Sequence, residues 1–104
     1  IDLHTFSSLN QEFLGQYKNT MLAADKAFVY FSPKAIEHKK LAMLSKNEVK
    51  NAFFSENVTV FTNSDVLMKT VKSINFKNKN LLLMSSGNFD GVDFEELGNE
   101  ILNN

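Results

Sequence analysis

Two clusters of small polar residues carry most of the side chains in this chain that could bind a polar ligand. The first follows the apolar run Leu81–Met84 and consists of Ser85, Ser86, Gly87, Asn88 and Asp90. Four consecutive apolar residues are typical of a strand buried on both faces of a parallel sheet. A small-residue loop after such a strand places backbone N–H groups at the carboxyl end of the sheet, where α/β proteins bind ligands. Alternatively, the segment is only a strand-to-helix turn, with Asp90 capping the last helix.

The second cluster consists of His4, Thr5, Ser7 and Ser8, between a predicted strand and a predicted helix. Ser8 is predicted to be the N-cap of that helix, whose positive end would favour an anion. His4 could donate to a carboxylate or phosphate, or act as a pH-sensitive group. Because parallel strands end at one edge of a sheet, both clusters are predicted to face the same rim. Alternatively, His4 makes a structural hydrogen bond and the two serines only cap the helix.

Strands and helices are predicted to alternate along the chain. Predicted strands cover residues 2–6, 27–31, 58–61 and 81–84, and helical sequence follows each of them. Four strand–helix repeats predict an α/β fold, a three-layer sandwich with a mostly parallel sheet. The 104 residues are the length of one domain, and no repeat or linker indicates a second.

Capping residues indicate where the helices begin. Ser8 with Gln11 and Ser45 with Glu48 match the capping-box spacing. Pro33 suits the first position of a short helix within an ambiguous stretch, and Asn63 or Ser64 caps the helix after the third strand. The residues predicted to face the core are Phe13, Leu14, Tyr17, Met21 and Leu22, then Val49, Ala52 and Phe53, then Val66, Leu67, Thr70, Val71 and Ile74, and finally Phe94, Leu97 and Ile101. All ten Phe residues are assigned to the core.

Composition excludes several classes of function. The net charge is −1 and all 11 basic residues are Lys, which argues against nucleic-acid binding. No apolar run approaches the roughly 18 residues of a membrane span, and no signal peptide is visible. With two His and no Cys, no metal site is predicted, and the absence of Cys fits the cytoplasm. No P-loop, G-x-G-x-x-G or G-x-S-x-G motif is present, so no catalytic residue is assigned.

Three segments resemble the C-terminal domain of the Mur ligases. Residues 2–9 (DLHTFSSL) resemble a strand-to-helix motif of the HTYSR type, and residues 24–30 resemble an Ala-Asp segment that leads into the next strand. Residues 82–92 (LLMSSGNFDGV) resemble the stretch LVMSNGGFGGI of the branch that ligates the murein tripeptide. The resemblance spans nearly the whole chain.

This resemblance implies a Rossmann-like domain of an ATP-dependent ligase of peptidoglycan synthesis or recycling in the bacterial cytoplasm. The enzyme would join UDP-N-acetylmuramate to an amino acid or to L-alanyl-γ-D-glutamyl-meso-diaminopimelate. ATP and Mg²⁺ would be bound mainly by a central ATPase domain, and a further domain would bind the muramate. This domain would act as a lid, inactive alone, that presents the peptide and excludes water. The implied substrate-binding residues are His4, Thr5, Ser7, Ser8, Ser85, Ser86, Gly87, Asn88 and Asp90.

The chain departs from the family pattern in three respects. It has no Arg to grip a carboxylate in bidentate fashion after the His4–Ser8 segment. Its second loop has fewer glycines, and Asp90 adds a charge that could meet the ammonium group of a diamino acid. An expected DDYAHHP-type motif is absent, so residues 1–104 are interpreted as a partial domain. The alternatives are the corresponding domain of an L-alanine-adding ligase, a stand-alone binding or regulatory module, and a small α/β enzyme that uses serine or histidine.

Overall fold

Three parallel strands form the sheet in the computed structural model, which describes residues 1–103. They are β1 (Asp2–Leu3), β2 (Ala27–Phe31) and β3 (Val58–Phe61), in the spatial order β1-β2-β3. In register, Leu3 lies opposite Phe31, and Val29 lies opposite Val60. Because all three strands run in the same direction, their carboxyl ends meet at one edge of the sheet.

Four α-helices accompany the sheet in the described part of the chain. They are α1 (Pro33–His38), α2 (Lys46–Phe53), α3 (Ser64–Lys72) and α4 (Phe94–Leu102), and a short 3₁₀ helix covers Leu14–Tyr17. An α/β fold with parallel strands is therefore confirmed, although the sheet has three strands where four were predicted. None of the helices in residues 1–103 is both long enough and apolar enough to cross a bilayer. Residue 104 lies outside the described residues.

Three of these helices begin where the sequence predicted, two of them at predicted capping residues and one at Pro33. Ser32 precedes Pro33 and accepts a hydrogen bond from the N–H of Ala35, as expected for a helix with Pro in its first turn. Ser45 and Glu48 form the predicted capping box, in which Ser45 Oγ accepts from the Glu48 N–H at 3.1 Å. Asn63, one of the two predicted alternatives, caps α3 through the N–H of Val66 at 3.1 Å.

Replacing Ser45 with Ala is expected to destabilise the protein by about 1 kcal/mol, because the first turn of α2 loses a side-chain acceptor. Chemical denaturation followed by circular dichroism measures this change. Ser7→Ala is the matched control, since the Ser7 side chain is exposed and makes no hydrogen bond within residues 1–103. Equal stability of the two variants would contradict the assigned capping role.

The strands bury side chains on both faces of the sheet, as their alternation dictates. Val29 and Phe31 point to one face, where they join Ile36 of α1 and Phe53 of α2 in a buried cluster. Tyr30 points to the opposite face and packs in a second cluster, whose other buried members are Leu67, Val71 and Phe89. The sheet is therefore covered by helices on both sides, with α1 and α2 opposite α3.

The predicted burial is correct for some helix positions and wrong for others. Leu67 and Val71 of α3 and Leu97 of α4 are buried, whereas half of Val66 is exposed. The assignment of every Phe to the core is also wrong. Four of the ten Phe side chains are 40% to 69% exposed, and they are Phe6, Phe13, Phe54 and Phe94.

The predicted first helix is absent, and the predicted strand before it is shorter than expected. After Leu3 the chain leaves the sheet and forms successive turns, and only Leu14–Tyr17 is helical. Gln11 does not complete a capping box with Ser8, because its side chain instead donates to Glu48 at 2.8 Å. Asn10 accepts the N–H of Glu12 in a local turn, which competes with helix formation.

The predicted strand at Leu81–Met84 is also absent. Leu82 is 72% exposed, so the segment is not buried on both faces. One backbone hydrogen bond, from the Asp2 N–H to the Met84 carbonyl at 2.9 Å, holds its last residue beside β1. Because β1 has only two residues, its free edge offers few groups with which a further strand could pair.

Candidate functional site

The two polar clusters meet beside β1, at the point where successive segments of the chain change from one side of this strand to the other. From β1 the chain proceeds through β2 to β3 and then returns to the opposite side of β1, where Met84 lies. The following loop runs along β1, since Ser85 contacts Asp2 and Gly87 contacts His4. In open α/β sheets, the crevice at such a reversal point, outside the carboxyl ends of the strands, is where ligands bind.

Gly87 lies directly against the imidazole of His4. A Cβ atom at position 87 would be 3.1 Å from His4 Cδ2 and 3.3 Å from Cγ, closer than carbon atoms normally approach. A side chain at position 87 would therefore require the exposed His4 ring or the loop to shift by a few tenths of an ångström. The structure therefore brings together one member of each predicted cluster, although the two are far apart in the sequence.

Asp2 fastens the second loop to the sheet. Its side chain is almost completely buried, and Oδ2 accepts hydrogen bonds from Ser85 Oγ at 2.8 Å and from the Phe89 N–H at 3.0 Å. Ser85 Oγ in turn accepts the N–H of Gly87 at 2.8 Å. Sequence analysis missed Asp2, for which the available signal was an acidic residue at the start of an apolar strand.

Thr5 and Ser8 form hydrogen bonds with each other that stabilise the turn after β1. Thr5 Oγ1 accepts the Ser8 N–H at 3.1 Å, and Ser8 Oγ donates to the Thr5 carbonyl at 3.0 Å. Ser8 is buried and is not a helix N-cap, because no α-helix begins there. The anion site predicted from the positive end of that helix is therefore wrong.

Three predicted groups remain exposed at the rim. The imidazole of His4 and the hydroxyls of Ser7 and Ser86 are solvent-exposed and make no hydrogen bond to another group in residues 1–103. Each of them could donate to a ligand or accept from one without breaking an existing contact.

Asn88 and Asp90 lie in the last part of the loop. Asn88 Oδ1 accepts the N–H of Gly91 at 2.9 Å. Asp90 does not cap α4, because Asp93 occupies that position and accepts the N–H of Glu96 at 3.0 Å. The Asp90 side chain is exposed at the rim, which leaves its charge available to a ligand.

Two carboxylates, those of Asp90 and Asp2, place negative charge near Tyr30 at the rim. Burial raises the pKa of the Tyr30 phenol most, and the negative charge of Asp90 raises this pKa further. A hydrogen bond to Ser32 lowers the pKa in part, and Asp2 adds a smaller rise. The phenol thus stays protonated up to a pH above its ordinary pKa. A cationic group of a ligand would be favoured beside these carboxylates, in keeping with the ammonium group suggested for Asp90.

The arrangement is suited to binding and orienting a ligand. His4 makes no hydrogen bond to a serine in the described residues, so no nucleophile–base pair is formed. No group of three or more His, Asp or Glu side chains in residues 1–103 could hold a metal ion. The fold and the rim thus define an α/β protein with exposed polar loops at the reversal point of its sheet, which is its candidate ligand site.

Comparisons with known proteins add no relative to this description. No protein-family model matches the chain, and neither a curated protein nor a solved structure does so.

Proposed function

We propose that the chain is the substrate-binding terminal domain of a Mur-type ligase that acts on the murein tripeptide. The observation that carries this proposal is the contact between Gly87 and His4. These residues belong to the two segments with the most specific resemblance to the ligases, and the fold brings them together at one rim. Loops at the carboxyl ends of neighbouring parallel strands share this edge in any such fold, so the support comes from the residues that the two loops carry and not from their meeting alone.

The finer architecture is proposed to be Rossmann-like, with three layers. Helices on both faces of the sheet support it, as does the position of Met84 beside β1. If the 81–84 segment is counted as a neighbour of β1, the spatial order is 81–84, β1, β2, β3. The chain then extends to both sides of β1. That arrangement is the one in which dinucleotide-binding folds create their central crevice.

The domain would present the peptide to an acyl-phosphate formed elsewhere in the ligase. ATP and Mg²⁺ would be bound by a central ATPase domain, and UDP-N-acetylmuramate by a further domain, in the bacterial cytoplasm. The exposed groups of His4, Ser7 and Ser86 would orient the polar backbone of the peptide. Asp90 would face an ammonium group, and no residue of this chain would form a covalent intermediate.

A titration of the isotopically labelled chain with L-alanyl-γ-D-glutamyl-meso-diaminopimelate tests the proposal by NMR. We expect shifts of the Ser86, Gly87 and His4 resonances at millimolar peptide, because these groups line the rim. The amide of Gly15, which lies outside the rim loops, should stay unchanged. Shifts with L-alanine alone would instead indicate the alanine-adding branch, and no shifts at the rim with either ligand would contradict the assigned site.

A further inference from the structure

We propose that Asp2 is a positioning residue, which holds the loop Ser85–Phe89 so that Gly87 stays against His4. This inference deepens the proposed function and rests on it only for the identity of the ligand. Whichever ligand occupies the rim, the loop that meets it is shaped by one buried carboxylate and has no strand partner of its own.

Asp2 contacts the loop at three points. Its N–H donates to the carbonyl of Met84 at 2.9 Å, which sets where the loop leaves β1. Its Oδ2 accepts the hydroxyl of Ser85 at 2.8 Å and the N–H of Phe89 at 3.0 Å. The two ends of the loop are therefore drawn to a single oxygen atom, and the residues between them must turn outward toward His4.

Ser64 secures the same loop from the other side. Its hydroxyl donates to the carbonyl of Phe89 at 2.6 Å. Both backbone polar groups of Phe89 are thus held by side chains, one at the start of β1 and one at the start of α3. No other described residue beyond the strands and helices has both main-chain groups held by side chains from two elements.

The backbone at the end of the loop needs this support. Phe89, Asp90 and Gly91 have φ values of 54°, 63° and 96°, a left-handed region in which a bulky residue such as Phe is rare. Conformations of this kind persist only where the surroundings hold them. Here the Phe89 ring is buried against Tyr30 and Phe94, at centroid distances of 6.2 Å and 6.1 Å, while Asp2 and Ser64 hold its backbone.

The chemistry of Asp2 separates its positioning role from a general contribution to folding. A carboxylate accepts stronger hydrogen bonds than a neutral group, and one Oδ atom here accepts two. Asp2→Asn keeps an oxygen that can accept both bonds, whereas Asp2→Ala removes the acceptor. The two variants therefore differ in whether the loop is held, and both leave β1 in register with β2.

Amide hydrogen exchange and NMR of the chain without ligand test this role. In Asp2→Ala we expect the Phe89 amide to exchange on the order of tenfold faster or more, because it loses its acceptor. The contact between the His4 ring and Gly87 should also disappear. Asp2→Asn should restore most of the protection and the contact, while the Val29 amide in β2 stays protected in both variants.

Ser85→Ala keeps the test decisive if Asp2→Ala fails to fold, because it removes the hydroxyl that donates to Asp2 Oδ2 and leaves β1 intact. It should weaken the His4–Gly87 contact, and an unchanged contact would overturn the proposal. Unchanged Phe89 exchange in Asp2→Ala would overturn the proposal, as would an equal loss of protection at Val29 in a folded variant. Because no ligand is present, this result is independent of the tripeptide titration, and either can fail while the other succeeds.

Discussion

Replacing Gly87 with Val is expected to raise the KM for the tripeptide by a factor on the order of ten or more, in the proposed Mur-type ligase. A Val Cβ would lie 3.1 Å from His4 Cδ2, so the imidazole or the loop has to move, and a tenfold change corresponds to about 1.4 kcal/mol of lost binding. The KM for ATP should change little, since this chain carries no phosphate-binding motif. Steady-state kinetics with each substrate varied in turn measure the two effects.

Two companion variants identify the cause of the Gly87→Val effect. Gly15→Ala is the matched control, because a Cβ at that position meets no atom within 4 Å. The double variant Gly87→Val with His4→Ala removes the ring against which the Val side chain clashes. If the clash is responsible, Gly87→Val will lower the free energy of unfolding less in the His4→Ala background than in the parent chain. The effects of the two substitutions on this free energy will then not be additive. Equal increases in the KM values of peptide and ATP would contradict the assignment of this loop to the peptide.

Phe53→Ala is expected to destabilise the protein by about 3–5 kcal/mol, the usual cost of removing a fully buried aromatic ring. Phe53 is completely buried in the larger core cluster. Its ring stacks on Tyr17 at a centroid distance of 5.0 Å and an interplanar angle of 20°. The substitution leaves a cavity between α2 and the 3₁₀ helix. Denaturant unfolding of the variant and the parent chain measures the difference.

The neighbouring residue provides the control for the Phe53 measurement. Phe54 is 69% exposed, and its ring contacts the ammonium of Lys18, whose nitrogen lies 5.1 Å from the ring centroid. Exposed cation–π contacts of this kind are worth roughly 0.5–1 kcal/mol, so Phe54→Ala should cost no more than about that. Similar losses for the two substitutions would mean that the assignment of one ring to the core and the other to solvent is wrong.

Local signals were sufficient for most of the regular elements. Ala27–Phe31 and Val58–Phe61 form strands because aromatic and β-branched residues dominate both segments. Ser45 and Asn63 begin helices because their side chains can accept backbone N–H groups two or three residues ahead. These interactions occur within a few residues, so their requirements are visible in the sequence.

The two elements that were predicted but are absent would have depended on residues distant in the sequence. Leu81–Met84 has the composition of a buried strand, but a strand also needs a long neighbouring edge, and β1 has only two residues. The predicted first helix had a good apolar pattern. However, the Gln11 side chain donates a hydrogen bond to Glu48 of α2 and does not cap the predicted helix. Neither the length of β1 nor the position of Glu48 relative to Gln11 can be derived from the residues of the segments themselves.

The amino-acid sequence by itself determined which residue types were available at the rim and indicated a parallel sheet with one carboxyl edge. Only the tertiary structure decided their roles. It turned Ser8 inward onto Thr5, left His4 exposed beside Gly87, and made Asp2 the acceptor that holds the loop. The bonds between Ser8 and Thr5 are local, but those that Asp2 accepts from Ser85 and Phe89 join residues more than 80 positions apart. Such bonds depend on how the strands and loops pack in three dimensions, which no local pattern of residues specifies.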